Sequence, residues 1–396
     1  MPPHRPGSRL VAPLAALAFV SLGLPDGLLG VAWPSMRAFF GVRLDALGAL
    51  LVATTAGYVV SSFSSGRLLR HLNLGTVLSA SCLLTAAGLL GYALASHWPV
   101  VLALGALLGL GAGAIDAALN TYVATHYGAR MLNWLHACFG VGAASGPLIM
   151  TAVLQRGQAW QRGYVIVGLA QIALATCFAV TFRFWPRSDG QAPSADRRDA
   201  ATMGATLRIP AAWLGMAVFI AYAGVEASIG AWTFTLLTEA RKMPTVKAGL
   251  LASLFWGGIT VGRLLAAVSG GVVPVHRMLR AALWSVALGA ALVWLDVNAG
   301  VTGFGLVLAG IACGPIFPSL IATTPGRVGV HHAANAVGFE IAASAVGLSV
   351  VPGLVGVAAS RFGVDMIARL FLALAICLLI VYRLLDRSAP DAAAVE

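Results

Sequence analysis

The chain has 396 residues, of which 59% are hydrophobic and 10% charged, with mean hydropathy +0.88 and formal net charge +11. Soluble domains carry about 25% charged residues, so a deficit this large excludes an ordinary water-soluble globular protein. The basic surplus does not read as a nucleic-acid face either: the arginines stand singly or in small groups at the ends of apolar runs, where they anchor against anionic headgroups and hold loops in the cytoplasm.

The N-terminus imitates a secretory signal, with Arg5 and Arg9 before an apolar run holding Ala15, Ala16 and Ala18. Many more apolar runs follow, so it reads as a retained first span. A spanning helix needs about 20 mostly apolar residues. Six candidates come first: Leu10–Ala32, Leu47–Leu68, Thr76–Ala95, Pro99–Val123, Leu132–Leu154 and Tyr164–Phe182. Six more follow: Ala211–Leu236, Ala248–Ser269, Met278–Leu295, Val301–Thr323, Ala334–Ala358 and Met366–Leu384.

Between the two sets lies Arg183–Pro210, with five arginines, three aspartates and three prolines. It cannot bury enough apolar surface to offset its ordering entropy, so a mobile, solvated linker is expected. The implied organisation is a bundle over 1–182, a linker over 183–210, a second bundle over 211–385 and a tail over 386–396. With the N-terminus inside, fifteen of the 25 Lys and Arg fall on the cytoplasmic side, nine outside, and Arg263 within a span. That bias predicts cytoplasmic termini and a cytoplasmic linker.

The halves repeat each other weakly. Asp26, Gly30 and Trp33 in span 1 are echoed by Glu226, Gly230 and Trp232 in span 7, and Gly48 and Gly57 by Gly249 and Gly258. The expected fold is an all-α polytopic membrane protein with twelve transmembrane helices in two pseudo-symmetric six-helix bundles, and a substrate site between the repeats. The five cysteines all lie in apolar runs without a CxxC or a histidine at metal spacing, which marks them as core thiols and predicts no metal site.

Of fourteen acidic residues, four fall inside predicted spans: Asp26, Asp116, Glu226 and Glu340. A charge at the bilayer centre costs about 2.5–3.5 kcal/mol on insertion scales, so such groups face an interior or a water-filled path. Asp26 follows Pro25 between Gly23 and Gly27, beside a weak point in the helix. The alternative role for it is an acid bonded to freed backbone amides. In span 4, Gly105, Gly109 and Gly113 form a small-residue seam, and Asp116 and Asn120 follow on nearly the same face. Helix packing explains those glycines but not the carboxylate. Asp26 and Asp116 are the expected proton-coupling pair.

Span 5 places Asn133 and His136 one turn apart, and His136 is either a proton relay to Asp116 or a structural hydrogen-bonder. Gly146 and Pro147 further along make a hinge or a packing device. Arg263 in span 8 needs a partner: Glu340 is the first choice and Glu226 the second, as a static buried pair or as a latch. Span 10 contains Gly314–Pro315–Ile316–Phe317–Pro318, which should kink or break its helix. Tyr222, Trp232, Phe255 and Trp256 could stack on a sugar ring or simply face neighbouring helices.

Over essentially its whole length the chain resembles a bacterial major facilitator superfamily (MFS) transporter of the fucose permease group. The resemblance rests on GLPDGLLGVAWPSM, GAGAIDAALNTYV, LNWLHACFGVGAASGP, GVEASIGAW, FWGGITVGRLL and CGPIFP, in that order. It implies fucose:proton-type symport, with Asp26 and Asp116 at the positions concerned with coupling and sugar binding. Asp116 resembles an exchange for glutamate there. Span 5 departs from the group, with His136 and Phe139 where it carries glutamine and asparagine. The superfamily loop after span 2 is degenerate, keeping Gly66 but showing Arg70 and Asn73. Gly142, Gly146 and Pro147 partly match an exporter signature.

The expected function is therefore proton-coupled uptake of a sugar or similar small polar solute by alternating access, with export of a metabolite or drug by proton antiport as the alternative. Asp116, Asn120, His136, Asn133, Glu226, Tyr222 and Trp256 are the expected substrate-binding residues, Arg263 and Glu340 the expected ion pair or gate. Pro25, Gly146, Pro147, Gly314, Pro315 and Pro318 are the expected hinges. A receptor or scaffold that kept the fold without transport is disfavoured by four intramembrane acids. No HExxH, GxSxG or phosphate-loop motif is present, so no enzymatic activity, ATP use or cofactor is expected. The expected partners are a small solute, protons and the lipid bilayer, with no nucleic acid. A monomer in a bacterial inner membrane is expected.

Overall fold

The computed structural model describes residues 8–127, 129–185, 201–269 and 272–388, and among these residues there is no strand. Twelve helices are long and apolar enough to cross a membrane. In chain order these are α1 Ser8–Phe40, α2 Ala46–His71, α3 Leu74–Leu94, α4 Trp98–His126, α5 Ala129–Gln155 and α6 Gln161–Val180. Then come α7 Pro210–Thr235, α8 Thr245–Ser269, α9 Val275–Leu295, α10 Ala299–Val328, α11 Val330–Phe362 and α12 Met366–Ser388. The chain is therefore an all-α, multi-pass membrane protein. Hydrocarbon offers no partner to a backbone amide, so each span must close its hydrogen bonds within itself. Large apolar side chains such as Phe63, Leu94 and Val268 stand more than three-quarters exposed, an outer coat suited to lipid.

Contacts divide the chain into two compact units, Met1–Pro193 with Met243–Ser253, and Ser194–Lys242 with Leu254–Glu396. Within the first, α1 packs on α5, α2 on α4 and α3 on α6. Within the second, α7 packs on α11 and α9 on α12, and Gly310 and Gly314 bring α10 against α8. The pairing scheme of the first six helices recurs in the last six.

Lipid tails are as apolar as leucine, so these pairs need close backbone approach and not merely apolar faces. A Cβ on Gly146 would lie 2.6 Å from the Leu24 carbonyl oxygen and 2.7 Å from the Leu28 nitrogen, across the α1/α5 seam. A Cβ on Gly314 would lie 2.6 Å from both the Arg263 nitrogen and the Ile259 carbonyl oxygen. Large apolar side chains fill the spaces between: Phe19, Leu78, Ile115, Leu119, Leu135 and Phe178 are all fully buried in the first unit.

Three expectations are corrected. The first span does not stop at Ala32; α1 runs through Pro13, Pro25 and Pro34 to Phe40. Likewise α10 is continuous across Pro315, Pro318 and Pro325, so of the kink or break expected at Gly314–Pro318 the break does not occur. Proline removes one donor per site, but neighbouring turns and packed helices keep a membrane helix continuous. Third, the ends of Arg183–Pro210 are ordered. Phe182–Phe184 form a 3-10 turn and Trp185 is 2% exposed, its carbonyl accepting from Asn73 Nδ2 at 2.7 Å. At the other end Thr202 caps the single turn Met203–Thr206. Asn335 Nδ2 on α11 donates to the Ala201 carbonyl at 2.8 Å and to Thr206 Oγ1 at 3.2 Å. The apolar and capping residues at the two ends of the polar segment find partners; residues 186–200 lie outside the described residues.

Candidate functional site

The first unit builds a polar cluster on the glycine face of α4. Gly109 and Gly113 sit against the carbonyl oxygens of Thr54 and Tyr58, which draws α2 onto α4 without intervening side chains. Ser62 Oγ strengthens the seam by donating to the Gly113 carbonyl at 3.3 Å. One turn beyond the last of these glycines, Asp116 accepts the Tyr58 hydroxyl on Oδ2 and the Asn120 amide on Oδ1, the latter at 3.0 Å. The Asn120 Oδ1 atom is buried and has no partner among the described residues. Asp26, on an accessible face of α1, lies within electrostatic range of the Tyr58 phenol.

Asp26, Asp116 and Asn120 thus share a neighbourhood, while Tyr58 was not singled out from the sequence. A lone tyrosine followed by Ser61, Ser62, Ser64 and Ser65 in an apolar span was the available signal. His136 on α5 packs edge-on against the Phe19 ring, with centroids 5.4 Å apart. Asn133 is on α5, and its side chain lies outside the described residues.

The second unit holds a parallel arrangement. The Tyr222 phenol is 2% exposed and reaches both Glu226 Oε2, one turn along α7, and the Cys313 carbonyl on α10 at 3.0 Å. The charges of Glu226 and Arg263 both bear on Tyr222 and Cys313, so Arg263 of α8 belongs to this cluster. Trp256 lies against α7 at Gly230 and edge-on to Phe255 at 5.6 Å.

Glu340 is elsewhere, which corrects the expected pairing with Arg263. Its Oε2 accepts from Thr324 Oγ1 at 2.8 Å, its Oε1 abuts Gly215, and its charge neighbour is Arg327. Similar depth in two spans does not make two residues face each other, because the rotation of each helix decides that. Of the expected hinges, Gly146 and Gly314 are tight packing points, Pro147 lies against Gly27, and Pro25, Pro315 and Pro318 lie within continuous helices.

Arg241 carries a polar clasp beyond the end of α7. Its Nε lies 3.2 Å from Asp296 Oδ1, Nη1 donates to Thr302 Oγ1 at 3.1 Å, and Nη2 donates to the Val293 carbonyl. Burial lowers the guanidinium pKa from its ordinary value, while Asp296 and Asp365 act the other way. Asp296 holds this position in the left-handed region, at φ +48°, as the cap of α9. No group of three metal-ligating side chains occurs among the described residues.

Residues 15–339 match the family described as Major Facilitator Superfamily. The chain belongs to the Major Facilitator Superfamily. Relatives of this MFS protein include "Bypass of stop codon protein 6" of Saccharomyces cerevisiae, 25% identical over 63% of this chain. "Sodium-dependent glucose transporter 1" of Danio rerio is 22% identical over 65% of it. The chain spans 54% and 49% of the length of these two proteins. Among solved structures, a bacterial homologue of the human lysosomal transporter Spinster superposes with TM-score 0.76 at 15% identity over 98% of both chains. A point mutant of the nucleoside transporter NupG superposes with TM-score 0.79 at 13% identity, over 94% of this chain and 98% of its own. At these identities the likeness is one of fold.

Proposed function

We propose that this MFS protein is a secondary active transporter that takes up a sugar or similar small polar solute with protons, by alternating access. The observation that carries the reading is the Tyr58–Asp116–Asn120 network. It joins a carboxylate to an amide oxygen that has no partner among the described residues, and both are acceptors of the kind that solute hydroxyls require. The name of the Danio rerio relative and the fucose-permease resemblance both favour a sugar. Asp26 takes the role of proton site, since its charge can reach the same phenol that holds Asp116. Glu226, Tyr222 and Trp256 are assigned to solute binding from the second bundle, and His136 and Asn133 from the first.

The protein sits as a monomer in a bacterial inner membrane with both termini cytoplasmic, its bundles over 1–182 and 211–385 joined by 183–210. A second reading is sodium coupling at the same carboxylates, favoured by the names of the Danio rerio and Mus musculus relatives. Reconstitution in liposomes with labelled monosaccharides separates them: inside-alkaline pH gradients drive accumulation and sodium gradients do not. Accumulation under a sodium gradient alone assigns sodium as the ion. Sugar leaving against its gradient would show that the direction is export.

A further inference from the structure

At the end of the second unit where α9 begins and α12 finishes, the two helices leave a cleft of about 250 Å³. Arg280 and Trp284 from α9 and Tyr382, Arg383, Asp386 and Arg387 from α12 line it, with Leu283 and Leu379 as its apolar part. Arg280 Nη2 is satisfied by Asp386 Oδ2 at 2.9 Å. Arg383 lies over the Trp284 ring, 5.3 Å from its centroid, and so is held in place by the ring and not by an acid. Neither Arg383 nor Arg387 has a carboxylate partner among the described residues, so three cations against one anion leave the cleft with a surplus of two positive charges.

Toward the middle of both helices the surface turns apolar. Leu288 of α9 is 54% exposed and Ile380 of α12 is 54% exposed. A cation pair and an indole at one level, with an exposed aliphatic stripe next to them, match a headgroup layer above acyl chains. The volume falls below the roughly 300–1,000 Å³ of pockets for drug-sized ligands, which suits a headgroup whose chains stay outside.

We infer that the α9/α12 cleft binds the phosphodiester headgroup of an anionic phospholipid, with Arg383 and Arg387 on the phosphate oxygens, Trp284 at the glycerol level and the chains along Leu288 and Ile380. The site is independent of the transport reading, since it shares no residue with the carboxylate clusters.

Native mass spectrometry of the purified full chain in detergent, titrated with phosphatidylglycerol or phosphatidylcholine, tests this. Phosphatidylglycerol adducts are expected to persist at higher collision energy than phosphatidylcholine adducts. An arginine at an anionic lipid surface is worth about a factor of five in affinity, so Arg383→Gln with Arg387→Gln lowers phosphatidylglycerol affinity roughly 25-fold and lowers that of phosphatidylcholine, whose choline cation offsets its phosphate, by less. Asp386→Asn removes the one anion of the cleft and tightens phosphatidylglycerol about fivefold. Arg369→Gln, at the other end of α12, is the control for general charge and changes nothing. Equal phosphatidylglycerol binding by the wild type and the double variant overturns the assignment. So does full displacement of the lipid by millimolar inorganic phosphate, which marks a site for a soluble anion.

Discussion

Tyr58 on α2 donates its phenolic proton to Asp116 on α4, and Tyr222 donates to Glu226 in the other unit. Each half of this MFS protein therefore holds a membrane carboxylate by a tyrosine, although the two tyrosines occupy different helices of their repeats. Removing the first donor tests how much that bond contributes. Tyr58→Phe keeps the ring and deletes the hydroxyl, leaving Asp116 with Asn120 alone. A hydrogen bond to a charged group contributes about 1.5–3 kcal/mol, so a drop in thermal midpoint of several degrees and at least a tenfold loss of solute affinity are expected. Unchanged affinity in binding assays would show that the phenol is only structural.

Asp26→Asn mimics a permanently protonated acid at similar size. Under the proposed mechanism it abolishes accumulation against a gradient while solute exchange across the membrane continues. Asp116→Asn and Asn120→Ala weaken binding as well as uptake, because both remove acceptors for solute hydroxyls. Normal pH-dependent accumulation by well-expressed Asp26→Asn would move the coupling role to Glu226.

Arg263 shares its electrostatic surroundings with Glu226, Tyr222 and Cys313, not with Glu340. Arg263 and Glu226 are both half-buried, so loss of one charge is expected to cost less than the roughly 3–5 kcal/mol of a fully buried pair. Arg263→Ala is thus expected to lower folded yield, Glu226→Gln added to it to recover yield, and Glu340→Ala to give no recovery. A double-mutant cycle on thermal midpoints measures the coupling directly. Rescue by Glu340→Ala would restore the original pairing.

The glycine seams set a contrast between positions. A methyl on Gly146 meets the backbone of α1 at 2.6 Å, whereas Gly66 has nothing within 4 Å of its would-be Cβ. Overpacking costs about 1–3 kcal/mol and more where only backbone can give way. Gly146→Ala is expected to destabilise the protein strongly in size-exclusion and thermal-shift measurements, and Gly66→Ala to be neutral.

For topology, cysteines placed at Ser96 and Met203 suffice on a background without native thiols. Both positions are exposed, so labelling reports the side of the membrane and not burial. A membrane-impermeant maleimide added to intact cells should modify Ser96→Cys and spare Met203→Cys until the membrane is opened. The reverse pattern would invert the proposed orientation.

Hydropathy alone determined that twelve helices cross a membrane and roughly where each one lies. That follows from solvent: a chain in hydrocarbon must bond every amide within its own helix, so a run of about 20 apolar residues has one conformation open to it. The weak echo of Asp26, Gly30 and Trp33 in Glu226, Gly230 and Trp232 also announced the repeated pairing of helices. The apolar run understated α1, which continues through Pro34 to Phe40, and α10 stays continuous through Pro315 and Pro318 because packed neighbours absorb proline's local cost. What faces what was left to the tertiary structure. The expected depths of Glu340 and Arg263 are similar, yet Glu340 accepts from Thr324 while the charge of Arg263 bears on Tyr222 and Cys313. Tyr58 acquires its role only when Gly109 and Gly113 let α2 approach α4, a consequence of three-dimensional packing that no single span contains.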